Sequence, residues 1–271
     1  MIIDAHTHIG KLPSGLYAEG YEKNLNLIIK EAKDNNIDHL IILAGLEKQD
    51  GFNVSTKSLL KLISEHKNVH AVAGINIDYQ KEDLTQLEEW VNKRQVVGIK
   101  FYTGYQHYYP SDERCKPIYD IALKYDVPVI FHSGDTLAGY VSNPKVRYSH
   151  PLNIDDVAAD YPNLKIIIAH MGNPWLIDCA ELLYKNPNVY ADISGLIVGE
   201  DLDSSYGELM RVRIKEMIDY VGSENKLLYG TDWPLAPMKT YIKFANSLCL
   251  SKDGRDSLFY KNALNLFKLE G

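Results

Sequence analysis

Two histidines near the start of the chain, His6 and His8, are separated by a single residue. Successive side chains of a β-strand point to opposite faces, so these two imidazoles would share one face of a strand. The largely apolar residues 1–5 are typical of a buried strand that would carry both rings to its carboxyl end. Paired imidazoles are common ligands of a divalent metal ion. Because a His-X-His pair also occurs by chance, the hypothesis depends on where the other ionisable residues fall.

Further ionisable side chains lie in or at the ends of other apolar segments. They are Lys100, His132, His170 and Asp232. A polar side chain at such a position is costly unless it has a partner, so these positions indicate a shared site. The remaining histidines precede strands or lie in helices and loops, where a solvated or hydrogen-bonded ring is expected. These are His39, His66, His70, His107 and His150.

Neutral imidazoles and one carboxylate can together hold a divalent ion and leave a coordination position open for water. Such an ion lowers the pKa of the bound water from about 15.7 towards about 7, which supplies hydroxide at neutral pH. A carboxylate at the same site can take a proton from the attacking water and pass it to the leaving group. The residue types therefore indicate a catalytic rather than a structural metal site.

The sequence alternates between short apolar segments and segments with apolar residues at helical spacing. Predicted strands begin near residues 2, 38, 69, 96, 128, 164, 188 and 226. Predicted helices cover residues 24–35, 54–66, 84–93, 112–125, 154–160, 175–184, 204–221, 237–248 and 253–269. Continuous apolar runs are typical of strands buried on both faces, and strict alternation of strand and helix implies parallel strands with right-handed crossovers.

Eight strand–helix units in roughly 250 residues match the size of a (β/α)8 TIM barrel, whose active sites lie at the carboxyl ends of the strands. This predicts an α/β fold with a single domain, residues 1–271. The alternative is a doubly wound open sheet, but no glycine-rich phosphate loop follows the first strand, where that fold often has one. Loops after the strands set specificity in a barrel. Those at 11–20, 103–111 and 135–152 carry no recognisable motif.

The composition of the chain limits its partners and its location. The net charge is −7, from 29 basic and 36 acidic residues without a basic block, so nucleic acid is not an expected partner. No apolar run is long enough to span a bilayer, so no membrane association is expected. Three scattered cysteines without a C-x-x-C motif argue against a disulfide framework, and the first residues lack the features of a signal peptide. A cytoplasmic location is therefore expected.

The pattern of these residues resembles that of the amidohydrolase superfamily. The shared features are His-X-His on the first strand, histidines ending the fifth and sixth strands, and an aspartate ending the eighth. Longer segments are similar to the amidohydrolase-related branch, and the likeness runs essentially from end to end. These segments are HPLNIDDVAADYPNLKIIIAHMGNPW (150–175), NVYADISG (188–195), LLYGTDWP (227–234) and NALNLF (262–267). That branch includes hydrolases of amides, esters and lactones, and also non-oxidative decarboxylases that use the same metal site.

By position, the resemblance implies roles for individual residues. The residues implied to bind one divalent ion, usually zinc, are His6, His8, His132 and Asp232. Asp232 is also implied to transfer protons as a base. His170 is implied to polarise the metal-bound water or the substrate carbonyl.

Lys100 has more than one interpretation. In binuclear relatives, a lysine on the fourth strand is carboxylated and bridges two metal ions, which here would add a second ion and make His170 a ligand. Alternatively, Lys100 remains a cation that pairs with a substrate carboxylate or a neighbouring acid, or it has a purely structural role. We expect the unmodified cation, which makes Lys100 a substrate-binding candidate.

Several other residues are candidate contacts of the substrate or of the metal ligands. Tyr102 follows the fourth strand, and Arg147 lies in the long loop after the fifth. Arg147 could clamp a carboxylate through two hydrogen bonds, although a surface arginine is the alternative. Asp4 could orient His6, or it could simply start the first strand. Asp192 and Ser194 share one face of the seventh strand, where either could touch the substrate.

The sequence therefore predicts a zinc-dependent hydrolase that cleaves a C–N or C–O bond of a small organic molecule. The first alternative keeps the metal site and changes the reaction to decarboxylation of an aromatic or unsaturated acid, with Lys100 and Arg147 binding anionic groups. The second alternative is a barrel that binds a small ligand without turnover. The resemblance also implies a homodimer, since similar proteins are commonly dimers.

Overall fold

The structure is a computed structural model that describes residues 1–11, 19–46, 53–137, 139–199 and 202–270. Most of the predicted loop at 11–20, and residue 138 of the loop at 135–152, lie outside the described residues. Within the described part of the chain, eight strands form a single parallel sheet in sequential order. The strands are β1 (Ile3–Thr7), β2 (His39–Leu43), β3 (Val69–Ile75), β4 (Val96–Phe101), β5 (Val129–Phe131), β6 (Ile166–Ile168), β7 (Val189–Asp192) and β8 (Leu227–Leu228).

The sheet closes into a barrel between β8 and β1. The backbone N–H of Ala5 donates a hydrogen bond to the Tyr229 carbonyl (2.9 Å), and the N–H of Asp232 donates to the His6 carbonyl (2.9 Å). A further bond joins the N–H of His8 to the Trp233 carbonyl (2.8 Å). The predicted (β/α)8 TIM barrel is confirmed.

Helices follow the strands as the apolar spacing predicted. In the described residues they are α1 (Tyr21–Asp34), α2 (Thr56–Leu62), α3 (Lys81–Asn92), α4 (Lys116–Tyr125), α5 (Asp155–Asp160), α6 (Leu176–Lys185), α7 (Ser205–Val221), α8 (Met238–Ser247), α9 (Lys252–Asp256) and α10 (Asn262–Phe267). The predicted single helix at 253–269 is divided into α9, a π-helical turn at Ser257–Lys261, and α10. At this wider turn the Leu258 carbonyl accepts a hydrogen bond from the N–H of Tyr229 (2.8 Å). Among the described residues, no helix combines the length and the apolar character needed to cross a membrane.

Apolar side chains fill both faces of the sheet. A large cluster lies between the strands and the helices, and a smaller one, which includes Val72, Ile130 and Ile167, fills the barrel interior. Phe267 of α10 belongs to the interior cluster and lies against Gly98 near the start of β4. Burial on both faces explains why these strands appear in the sequence as continuous apolar runs. The packed interior leaves the carboxyl ends of the strands as the place for a cavity.

Two of the predicted site residues lie in turns beyond the strands. β6 ends at Ile168, and His170 follows with a φ of 57°. β8 ends at Leu228, and Asp232 follows four residues later with a φ of 56°. A positive φ is uncommon for residues other than glycine. These turns direct both side chains towards the cavity at the carboxyl end of the barrel.

Candidate metal centre

Two imidazoles and a carboxylate converge at the carboxyl end of the barrel. Each of His6, His8 and Asp232 offers a ligand atom, and these three atoms lie within 4.8 Å of one another. Asp232 Oδ1 is 3.4 Å from His8 Nε2 and 3.8 Å from His6 Nε2. Nitrogen and carboxylate donors at this spacing can surround one divalent cation.

The hydrogen bonds of His6 establish which of its ring nitrogens is free. Its Nδ1 donates to Asp192 Oδ2 (2.8 Å), so the lone pair is on Nε2, which faces Asp232. His8 Nδ1 lies 3.0 Å from the Leu43 carbonyl and 2.7 Å from the side-chain amide nitrogen of Asn53, and its Nε2 also faces Asp232. In the described part of the chain, the buried Nε2 of His6 has no hydrogen-bond partner. An unpaired, buried acceptor beside a carboxylate fits a bound metal ion.

His132 and His170 line the same cavity, which has a volume of about 190 Å³. His132 Nε2 donates to the Asp135 carbonyl (2.8 Å), so the lone pair of this ring is on Nδ1. The ring centroid of His132 is 5.1 Å from that of His170, and the His170 ring is 4.8 Å from that of His6. Of the groups of close ligand atoms found among the described residues, none includes His132. The structure thus brings His132 to the cavity, though less closely than His6, His8 and Asp232.

A second group of close ligand atoms, from His6, His170 and Asp192, is a hydrogen-bond network. Asp192 Oδ2 accepts the Nδ1 proton of His6, so that nitrogen cannot bind an ion. Asp192 Oδ1 accepts from the backbone N–H of His170 (3.0 Å) and from Ser194 Oγ (2.5 Å). The sequence indicates Asp192 only as a possible substrate contact. Its closeness to His6, a residue 186 positions away, appears only once the barrel is closed.

Burial keeps His8, His132 and His170 neutral. It lowers the pKa of His8 to about 3 and that of His170 to about 4, and it holds the pKa of His132 well below the usual range. Burial alone would raise the pKa of Asp232, but charge interactions outweigh it and lower the pKa. They come from His170, His6 and His8 in their protonated forms and from Lys100. At neutral pH His8, His132 and His170 are therefore uncharged and Asp232 is ionised, which is the state that metal binding requires of them.

The orientation of His170 limits its chemistry. Its Nδ1 lies 3.1 Å from the Ser194 carbonyl, which can only accept a hydrogen bond. The proton is therefore on Nδ1, and Nε2 carries the lone pair. Nδ1 is also 3.9 Å from Asp232 Oδ2. In this tautomer Nε2 accepts protons, whereas polarising a substrate carbonyl through Nε2 would require the other tautomer.

Lys100 places a buried ammonium group in the cavity wall. The residue is only 1% exposed, and its Nζ has no hydrogen-bond partner among the described residues. Burial lowers the pKa of Lys100 to about 8, although Asp192 and Asp232 oppose the decrease. The side chain is therefore still mainly cationic at neutral pH. Tyr102, the next predicted substrate contact, also lines the cavity, while its hydroxyl donates to the Ala44 carbonyl (2.5 Å).

Arg147 lies on the protein surface. It belongs to a short 3-10 turn at Val146–Tyr148, where its guanidinium stacks over the Tyr148 ring at 4.7 Å and donates to the Tyr148 hydroxyl (2.8 Å). Arg147 is not among the described residues that line the cavity. The structure therefore favours the surface alternative for this arginine, and we do not propose that it clamps the substrate.

Asp4 joins the first strand to the segment after the last one. Its carboxylate accepts hydrogen bonds from the Thr231 N–H (3.0 Å) and the Thr231 hydroxyl (2.7 Å). The backbone N–H of His6 lies farther away, at 3.4 Å. Burial raises the pKa of Asp4 to about 7. Asp4 thus helps to close the barrel below the site, while Asp192 is the carboxylate that orients the His6 ring.

Glu31 of α1 holds the chain segment that follows Asp232. Its Oε2 accepts from the Trp233 indole N–H (2.9 Å), and its Oε1 accepts from the Met238 backbone N–H (2.7 Å). The sequence does not point to Glu31, because a glutamate among the polar residues of an amphipathic helix gives no signal of a distant partner. The structure identifies Glu31 as a positioning residue for Asp232.

We expect Glu31→Ala to lower the free energy of unfolding by about 1–3 kcal/mol, because it leaves two donors without their charged acceptor. Binding of metal is expected to weaken along with it, since Asp232 loses part of its support. Thermal unfolding and metal titration measure the two effects. Asn26→Ala, at an exposed position of the same helix, is the control and is expected to change neither. Equal behaviour of the two variants would contradict the assigned role.

Several solved structures are similar to this chain over nearly its whole length. An uncharacterised TIM-barrel protein from Bordetella bronchiseptica is 18% identical, with 98% of each chain covered and a TM-score of 0.75. A probable 2-pyrone-4,6-dicarboxylic acid hydrolase from Acinetobacter baumannii is 16% identical, with 99% of each chain covered and a TM-score of 0.70. A dihydroxybenzoic acid decarboxylase from a Polaromonas species, with bound manganese and an inhibitor, is 15% identical, with 99% of this chain and 97% of that chain covered and a TM-score of 0.69. At these identities the likeness establishes the fold.

A search of curated proteins returns no match. A family model does match: the amidohydrolase model Amidohydro_2 covers residues 3–269, nearly the whole chain. The match agrees with the resemblance noted in the sequence. It also agrees with the barrel and with the imidazole and carboxylate donors at the carboxyl ends of its strands. The chain therefore belongs to the amidohydrolase family of metal-dependent enzymes.

Proposed function

We propose that this protein is a metal-dependent hydrolase that cleaves an amide, ester or lactone bond of a small organic substrate. The observation that carries the proposal is the buried, unpaired Nε2 of His6, which faces Asp232 together with His8 Nε2. Three donors held in this way have no evident structural use without a cation. The cavity around them, of about 190 Å³, suits a small substrate.

The proposed ligands are His6 and His8 through Nε2, Asp232 through Oδ1, and His132 through Nδ1 as the fourth. Imidazole with carboxylate suits zinc, which we propose as the ion, and it also suits other first-row metals. The similar Polaromonas decarboxylase holds manganese. When bound, such an ion acts as a Lewis acid that polarises a substrate oxygen and acidifies water.

Residues around the ion would accept the proton of the attacking water and fix the tautomers of the ligand imidazoles. Asp232 Oδ1 faces the two ligand imidazoles, so Oδ2 is the oxygen that takes the proton of the attacking water and later returns it to the leaving atom. His170 Nδ1 lies 3.9 Å from Oδ2 of Asp232. Because the lowered pKa of His170 keeps its ring uncharged at neutral pH, His170 forms no ion pair with that carboxylate. Asp192 fixes the tautomer and orientation of His6.

Metal analysis tests the proposal. We expect about one zinc ion per wild-type chain, and turnover on a panel of amides, esters and lactones that chelation removes and zinc restores. His6→Ala is expected to hold little metal and to lose turnover. The matched control is His66→Ala, which makes the same change at a histidine that does not line the cavity. Wild-type protein without stoichiometric metal under metal-replete conditions would contradict the proposal.

Decarboxylation of an aromatic or unsaturated acid is the second candidate. It would use the same donors, and the buried cation of Lys100 beside the Tyr102 ring supports it, because both suit an unsaturated acid. The two reactions differ in their products. Carbon dioxide release from acids, measured beside hydrolysis of lactones and esters with the same zinc-loaded protein, separates them.

A further inference from the structure

We propose that Asn53 selects the tautomer of His8 and thereby lowers the affinity of the cavity for a metal ion. Asn53 acts through His8, so it is a positioning residue. The inference rests on the proposed function, because it concerns one of the proposed ligands. Three features of the structure support it: the anchoring of the Asn53 side chain, the orientation of its amide group, and the two groups that face His8 Nδ1.

The Asn53 side chain is closely packed at the wall of the cavity. The residue is only 6% exposed and lines the cavity. A Cβ atom at Gly45 would lie 2.5 Å from the Asn53 Cβ, so this approach requires glycine. The backbone N–H of Gly45 also donates to the Val54 carbonyl (2.8 Å), which joins residues 53–54 to the segment that follows β2. Asn53 is therefore held beside His8 by contacts that do not involve His8.

Hydrogen bonds fix which end of the Asn53 amide faces His8. Oδ1 of Asn53 accepts from the backbone N–H of Val54 (2.9 Å), and Nδ2 donates to the Leu43 carbonyl (2.9 Å). Exchanging the two ends would place an NH2 group against the Val54 N–H and an oxygen against the Leu43 carbonyl. The amide nitrogen is therefore the atom that lies 2.7 Å from His8 Nδ1.

His8 Nδ1 faces a donor and an acceptor at the same time. The Asn53 amide nitrogen, which only donates, is 2.7 Å away, and the Leu43 carbonyl, which only accepts, is 3.0 Å away. The lowered pKa of His8 keeps its ring uncharged at neutral pH, so the ring carries one proton. A contact of 2.7 Å between two nitrogens is favourable only if one of them has a lone pair, since two N–H groups would repel each other. The shorter contact therefore favours a His8 proton on Nε2.

The other side of the ring accommodates that proton, because His8 Nε2 lies 3.4 Å from Asp232 Oδ1. A protonated nitrogen cannot bind a cation, so metal binding through Nε2 requires the proton to be on Nδ1. The Leu43 carbonyl then accepts this proton, and the Asn53 amide loses its hydrogen bond to the ring. The Tyr102 hydroxyl, with which Asn53 also forms a hydrogen bond, remains as a partner of the amide. The change is one of tautomer and leaves the charge of His8 unaltered.

Nitrogen-15 NMR of the imidazoles tests the tautomer directly. In protein treated with a chelator to remove metal, we expect the wild-type His8 proton on Nε2. Asn53→Ala is expected to shift the ring towards the form with the proton on Nδ1, where the Leu43 carbonyl can accept it. His8→Gln identifies the signals of His8 by their loss. The wild-type measurement needs no change at Asn53, so it decides the inference even if Asn53→Ala fails to fold.

Competition between the protein and a chromophoric chelator measures the effect on metal affinity. We expect Asn53→Ala to bind zinc about fivefold more tightly than the wild type, because one hydrogen bond no longer has to break. A residue that only held His8 in place would have the opposite effect when removed. Asn246→Ala, which removes an exposed asparagine of α8, is the control and is expected to keep the wild-type affinity.

The two experiments separate this inference from the proposed function. The inference is overturned by a His8 proton on Nδ1 in the metal-free wild type, by an unchanged tautomer in Asn53→Ala, or by zinc binding in that variant that is weaker or unchanged. If any of these occurs while the wild type still holds zinc, the proposed function stands. If the wild type binds no zinc, the proposed function fails, and the NMR measurement still decides whether Asn53 selects the tautomer.

Discussion

Replacing Asp232 with asparagine is expected to lower kcat by about 10²–10⁴-fold, the usual contribution of a general acid or base. Asparagine keeps the size of the side chain but cannot accept a proton from water. It is also a weaker ligand, so the assay uses a concentration of zinc that saturates the variant. The loss is expected in kcat rather than in KM, because a proton transfer takes place only during reaction. Steady-state kinetics on a substrate found in the panel measures it.

Asp253→Asn is the matched control, since it makes the same chemical change at an exposed position on α9. It is expected to keep wild-type kinetics. If zinc-saturated Asp232→Asn retained more than about a tenth of wild-type kcat, another group would have to be the base. His170, whose Nε2 carries the lone pair, would then be the first residue to examine.

Asp192→Asn is expected to weaken zinc binding by about 10–100-fold, the usual cost of removing a carboxylate that orients a ligand imidazole. The carboxylate accepts the Nδ1 proton of His6 at 2.8 Å, so it makes Nε2 more basic and directs it at the ion. An amide can accept the same hydrogen bond but carries no charge. Competition between the protein and a chromophoric chelator measures the affinity.

Ser194→Ala tests how much of the effect comes from the Asp192–His6 hydrogen bond. It removes the hydroxyl that donates to Asp192 and lies 3.1 Å from His6 Nδ1 and 2.9 Å from His170 Nδ1, but it leaves the shorter Asp192–His6 hydrogen bond intact. We expect it to weaken zinc binding much less than Asp192→Asn does. Equal effects of the two variants would show that the network acts as one unit, and unchanged affinity in Asp192→Asn would remove the role assigned to this carboxylate.

Much of the fold could be predicted because local patterns report burial. The strand positions follow from apolar runs, which arise wherever a strand is covered on both faces, as in β4 and β5. The two-residue spacing of His6 and His8 predicts a shared direction from strand geometry alone. Such signals do not depend on knowing which distant segments meet.

The remaining features of the site depend on contacts that no local pattern contains. His170 and Asp232 reach the cavity from turns with positive φ, although the sequence placed them at the ends of strands. Glu31 and Asp192 acquire their roles only from partners brought close by barrel closure. For Arg147 the sequence leaves an anion clamp and a surface arginine open, and the structure places it beside Tyr148 on the outside of the barrel.

Three of the proposed donors lie where the first and last strands of the barrel meet. His6 lies on the first strand and Asp232 just after the last, and backbone hydrogen bonds join these segments directly. A cation bound by both segments would link the first strand to the last where the barrel closes. It would stabilise the folded protein by an amount that increases with the concentration of the cation and with its affinity. During synthesis on the ribosome, His6 and His8 could not share an ion with Asp232 until the segment containing residue 232 had emerged.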